Sequence, residues 1–204
     1  MSASIIFQFK ITLKRIKPNI WRRIQVPGNF TFWELHMAIS DAMGWQDYHL
    51  HQFEVLNPRN GQIVLIGTPD DFGLVEVING KTVKIADFFS APKCKAKYEY
   101  DFGDGWDHEI LLQKILPAIP TVEYPICVGG KRACPPEDCG GTWGYGELLS
   151  IISNPNHGEY EERKDWLKLI GYTNGEFDSE HFDPKSVYFR SFRDSWNQRN
   201  FIPL

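Results

Sequence analysis

Residues 97–115 read KYEYDFGDGWDHEILLQKI, and no other stretch constrains the fold as much. Before the break, Tyr98, Tyr100 and Phe102 alternate with Glu99 and Asp101; after it, Trp106, His108, Ile110 and Leu112 alternate with Asp107 and Glu109. A side-chain period of two marks a strand with one buried face. Asp104-Gly105 between the runs is a two-residue hairpin signal, because such a turn needs positive φ at both central positions. The spacing therefore predicts a central hairpin. Its turn gathers Asp101, Asp104, Asp107, His108 and Glu109 at one end of a sheet.

The segments before it fit the same sheet. Phe7, Phe9, Ile11 and Leu13 share one face of a strand over 5–13, Lys17-Pro18-Asn19 turns the chain, and 20–26 returns. Thr31 stands three residues before Glu34, a capping box, and Phe32, Leu35, Ile39, Ala42 and Met43 form a helical stripe that Gly44 ends. Strands are predicted over 48–56 and 62–66, a loop over 67–80 and a short strand over 82–85. Hairpin, helix, then further strands is a grasp-like order. The fold class is α+β, a mixed sheet packed on one early helix.

From Pro117 the pattern changes. Pro117, Pro120, Pro125, Pro135, Pro136 and six glycines from Gly129 to Gly146 predict an ordered loop without regular structure over 117–146. Helices follow over 146–153, 159–170 and 184–197, the last with Asp183 as cap and proline at its first position. With no repeat or linker in view, residues 1–204 read as one domain. Its parts are a sheet-and-helix body (1–116), the loop (117–146) and a helical layer (147–204).

The bulk numbers exclude several classes. Aromatics make up 14% of 204 residues, including seven tryptophans, which excludes a disordered chain. No apolar run reaches the ~18 residues of a membrane span, and the N-terminus has no basic region followed by an unbroken apolar core. The expectation is a cytoplasmic, soluble protein whose four cysteines are thiols or ligands rather than disulfides. The net charge of −4 is unevenly spread: residues 1–33 hold six Lys/Arg and no acid, residues 184–204 four Lys/Arg and one acid. A strongly acidic middle separates two basic ends.

Three stretches together, YEYDFGDGWDHEI, CVGGKRACPPEDCGGTWGY and NPNHGEYEERKDWL, resemble the plasmid pRiA4b ORF-3-like family over nearly the whole chain. The resemblance implies a compact α+β domain, found on plasmids and as a passenger of insertion elements, with no established enzymatic activity. It also implies that Cys127 and Cys134 belong to the family pattern, while the position of Cys139 is often valine. No stretch resembles the serine motif of a recombinase. The Asp-Phe-Gly triplets at 71–73 and 101–103 lack the partner motifs of a protein kinase.

Each candidate site has a structural reading beside it. Asp101, Asp104, Asp107 and Glu109 offer oxygen ligands, but an aspartate-rich hairpin end is ordinarily just solvated. His108 shares the apolar face with Trp106; it is a core-edge histidine, a metal ligand or a general base. His36 falls on the helix stripe and reads as packed, while His49 and His51 share one face of the 48–56 strand. Cys127, Cys134 and Cys139, with His108 or His157, are the set a zinc ion would use, although their spacing is wider than zinc motifs show. Buried free thiols or a Cys127–Cys134 bridge are the alternatives.

Arg132, Glu137 and Asp138 lie between prolines and glycines, which predicts a rigid loop covering the hairpin turn. That arrangement would set Arg132 against Asp101 or Asp104, with Trp143 and Tyr145 nearby. In the first hairpin, Lys10, Lys14, Trp21, Arg22 and Arg23 combine cations with a stacking ring suited to nucleic acid. A lysine-guarded sheet edge is the preferred reading of the same residues.

The leading reading is a non-enzymatic binding module for an unknown protein or small ligand, with no cofactor. Its site comprises Asp101, Asp104, Trp106, His108, Arg132, Glu137, Asp138 and Tyr145. The alternatives are a nucleic-acid-binding accessory protein of a mobile element and a metal-dependent hydrolase using His108.

Overall fold

The computed structural model describes residues 5–69 and 76–191. The elements run β1 (Ile5–Leu13), β2 (Trp21–Pro27), α1 (Phe32–Met43), β3 (His51–Leu56), β4 (Ile63–Gly67), β5 (Val77–Asn79), β6 (Lys95–Tyr100), β7 (Trp106–Pro117), β8 (Ile126–Lys131), α2 (Gly141–Ile152) and α3 (Tyr160–Leu169). All eight strands join one mixed sheet in the order β5-β4-β3-β6-β7-β1-β2-β8, antiparallel except for the β4–β5 pair. The fold is α+β.

Period-two burial places Phe7, Phe9, Ile11 and Leu13 of β1 in the core, with Ile110 and Leu112 of β7 beside them. α1 lies on that face. Its start is fixed by the capping box, Glu34 N–H donating to Thr31 Oγ1 at 3.2 Å while Thr31 N–H donates to Glu34 Oε2 at 2.6 Å. Its end is fixed by Gly44 at φ 91°. Phe32 meets Phe53 edge-on at 5.1 Å between centroids, and Phe9 meets Phe89 at 4.9 Å, so helix and sheet interlock through aromatic rings.

Several boundaries differ from expectation, each for a physical reason. Tyr48 is exposed and β3 begins only at His51, because Asp47 sits at φ 66° and breaks the extended run. The 67–80 stretch contains β5, and 82–85 supplies a single bridge from Thr31 to Lys84 followed by a 3-10 turn. The stretch expected to lack regular structure holds β8, and α2 starts at Gly141 rather than Gly146. In β8 the Phe182 ring fills the space a Cβ would take at Gly130, 2.2 Å from that point, while Trp21 lies at ordinary contact distance, 3.7 Å, from it at Gly129. The expected helix over 184–197 is one 3-10 turn, Pro184–Ser186, capped by Asp183, after which the chain extends. Positions 192–197 lie outside the described residues. β1 and β2 are interior strands, so the lysines of the first hairpin do not guard an edge.

Candidate functional site

The hairpin turn is longer than a two-residue loop. Tyr100 pairs with Trp106, leaving residues 101–105 to reverse the chain. Positive φ falls at Asp101 (56°) and Gly105 (65°), not at Asp104. Asp101 organises the turn. Its amide donates to the Leu50 carbonyl at 2.9 Å, and its Oδ1 accepts from Gly103 N–H at 2.9 Å and Asp104 N–H at 3.3 Å.

Residues 135–141 close over this turn. Gly140 N–H donates to Asp104 Oδ2 at 3.2 Å, and Gly141 lies so close that a Cβ there would fall 2.5 Å from the Asp104 carbonyl oxygen. Glu137 Oε2 accepts from the Gln46 amide at 2.7 Å, while its other oxygen accepts the Tyr100 hydroxyl proton. Burial, followed by that carboxylate, pushes the Tyr100 phenol far above its ordinary value, so it remains a donor. Trp45 fastens the same segment: its indole N–H donates to the Pro135 carbonyl at 3.0 Å and its ring stacks on Tyr100 at 4.8 Å.

His49 lies in the approach to β3, where it meets the Tyr100 ring edge-on at 5.8 Å. Its Nε2 stands 3.1 Å from Asp138 Oδ1 and 3.6 Å from Asp101 Oδ2. Among the described residues, these three form the one group of metal-capable side chains whose ligand atoms lie within 4.8 Å of one another. Segments around residues 49, 101 and 138 thus converge on one seam. Behind it, the fully buried His36 bonds Asp47 through Nε2 at 2.7 Å and the Tyr98 hydroxyl through Nδ1 at 2.8 Å. It also stacks on His51 at 3.4 Å, with an angle of 7° between the rings.

The structure brings together Asp101, Asp104, Glu137 and Asp138. It separates the other expected members. Arg132 reaches none of the turn carboxylates; Nε donates to Glu180 at 2.6 Å and a terminal nitrogen to the Pro18 carbonyl at 2.7 Å, so it ties the loop to the opposite side. Tyr145 packs on Phe177 beneath α2. Trp106 and His108 face the core, where His108 lies between Trp45 and Tyr98 with no exposure. Burial drives its pKa down to about 4 against weak backbone contacts from Tyr98 and Trp106. An imidazole with no exposure cannot meet a substrate proton at the turn, and the hydrolase reading loses its central residue.

The cysteine set is also corrected. Cys127, Cys134 and Cys139 are free and do not gather with His108 or His157 into a ligand group. Burial raises the Cys134 thiol strongly and the Cys139 thiol to about 12, which disfavours the thiolate a metal needs. Cys127 Sγ instead donates to the Gly129 carbonyl at 3.5 Å.

Of the basic hairpin, Arg22 is buried: Nε donates to the Ala42 carbonyl at 2.8 Å, a terminal nitrogen reaches the Lys131 carbonyl at 3.2 Å, and the Phe182 ring covers it at 3.6 Å. It is closed to phosphate. Lys10 and Arg23 both lie over the Trp21 ring, at 5.1 and 5.2 Å. Lys14 is exposed.

Strand parity pairs His49 with His51 on one face. The positive φ at Asp47, which sequence period does not report, splits them: His51 enters the core and His49 joins the seam.

Comparison with known proteins agrees with this architecture. The chain is 35% identical over 173 residues to the uncharacterized protein y4hQ of Sinorhizobium fredii, covering 84% of this chain and 85% of that one. The crystal structure of MM3350 from Methanosarcina mazei Go1, described as a protein of unknown function, superimposes with a TM-score of 0.80 at 45% identity. It covers 92% of this chain and all of that one. The model of the plasmid pRiA4b ORF-3-like proteins matches residues 5–186, and the chain belongs to that family.

Proposed function

We propose that the protein is a binding module that recognises a positively charged ligand at the seam between the 101–105 turn and the 135–141 segment. One observation carries this: Asp101 from one segment and Asp138 from the other meet at His49, while Asp104 and Glu137 accept backbone amides across the same contact. Fixed negative charge lowers the cost of holding a cation, and it needs no further rearrangement when the ligand arrives. Tyr48, Phe102 and Trp143, neighbours of the seam in the chain, are 75%, 51% and 77% exposed. Exposed rings beside carboxylates suit an ammonium or guanidinium group, which gains both ion pairing and contact with a π face. The plasmid in the family's description supports placing such a module among mobile elements.

The test is thermal stabilisation by arginine amide, spermidine and a short oligolysine peptide at low salt. At least one should raise Tm in the native protein. The rise should vanish in Asp138→Asn, an exposed site whose substitution leaves the fold intact. An unchanged Tm with every probe, or a rise that survives in the variant, would sink the reading.

A further inference from the structure

We propose that His49, Asp101 and Asp138 form a three-ligand site for a divalent transition cation, of the zinc or manganese kind, with its remaining positions open. This rests on the acidic-seam reading above and names the ligand class for its inner end.

Spacing is the first argument. Ligands that bind zinc at about 2.0–2.2 Å stand roughly 3.0–3.5 Å from one another. Nε2 of His49 lies 3.1 Å from Asp138 Oδ1 and 3.6 Å from Asp101 Oδ2, so small side-chain adjustments suffice.

The state of Asp101 is the second and independent argument. The residue is 7% exposed, and its Oδ1 is held by two amide donors. Oδ2, by contrast, makes no hydrogen bond and faces the imidazole at 3.6 Å. With both amide donors on Oδ1, this carboxylate oxygen stays open to a cation at the seam. The amides on Oδ1 fix the direction of Oδ2, as the outer partners of a metal-binding carboxylate do.

The ring supplies the third argument. Nε2 of His49 is shielded from solvent, yet it meets neither carboxylate at hydrogen-bond geometry. The two aspartates supply two carboxylate groups against a divalent ion. One nitrogen and two oxygens suit zinc, manganese or iron(II) better than calcium or magnesium, which take oxygen alone.

The experiment is isothermal titration of chelator-stripped, dialysed protein with zinc and with manganese, and cobalt(II) absorption to report the donor set. One ion per chain should bind and raise Tm. His49→Gln, Asp101→Asn and Asp138→Asn should each weaken binding at least about tenfold. Asp138→Asn should keep the native Tm without metal. Absence of stoichiometric binding overturns the assignment, as does unchanged affinity in Asp138→Asn and His49→Gln. A protein that ignores metals yet is stabilised by arginine amide or spermidine, with the effect lost in Asp138→Asn, overturns the metal site alone. Failure of every probe removes both proposals.

Discussion

At the scale of single residues, His108 sets an acid limit on the fold. Buried without exposure, it has its pKa lowered from 6.5 to about 4 by desolvation. Above pH 6.5 folded and unfolded chains both carry it neutral, so it adds no slope. Between 6.5 and about 4 the unfolded chain takes up a proton that the folded chain refuses, and stability falls as pH falls. At ~1.4 kcal/mol per unit the loss approaches about 3 kcal/mol. Urea midpoints measured across that window should decline in the native protein and decline less in His108→Leu; equal slopes would move the acid sensitivity elsewhere.

Arg22 and Arg23 are neighbours with opposite fates. Arg22 donates to carbonyls of α1 and β8, and removing it leaves both acceptors unpaired, the Ala42 one buried, at about 1–3 kcal/mol each. Arg22→Met should therefore cost about 3 kcal/mol or more in urea unfolding, and Arg23→Met, on the partly exposed face, under about 1 kcal/mol. Nothing in the sequence separates these two arginines except strand parity. Their partners are backbone carbonyls, which no side-chain pattern displays. Arg132 shows the same blind spot: it is a loop anchor, as its setting suggests, but one acceptor is the Pro18 carbonyl and the other is Glu180, 48 residues away.

Among the elements, those whose signals are local were legible. α1 runs from its capping box to its glycine because both ends are written in adjacent residues. Thr31→Ala should cost about 1 kcal/mol, read as a lower urea midpoint with unchanged slope. The β6–β7 hairpin was legible because aromatics at period two leave one face no alternative to burial. β8 was not, since its paired glycines read as breakers until Trp21 and Phe182 are seen covering them. Glycine has a different role in α2, whose first turn folds back on the loop before it. A Cβ on Gly144 would lie 2.0 Å from the Cys139 carbonyl oxygen, a backbone atom that cannot swing aside. Gly144→Ala should cost about 1–3 kcal/mol and displace the 137–140 segment, visible as faster amide exchange at Gly140. Gly146→Ala, where no atom lies within 4 Å of the added carbon, is the control and should be neutral or slightly stabilising.

Across the described residues, apolar packing holds the helices to one sheet, and a few polar ties fasten the segments after β8. Arg190 binds the 187–191 stretch to the end of α1, its Nε donating to Asp41 Oδ1 at 2.5 Å and its amide to Oδ2 at 2.9 Å. Arg190→Ala should raise amide exchange around 186–191 while the central strands keep their protection. The seam has a further consequence. Its walls are contributed by residues 36 and 91 positions apart in the chain, as the Asp104–Gly140 and Gln46–Glu137 contacts show. A nascent polypeptide emerging from the ribosome has completed the sheet's central hairpin well before Asp138 is delivered. The seam therefore exists only once residues 135–141 have closed over that hairpin, and any probe that depends on it reads out a late step of folding.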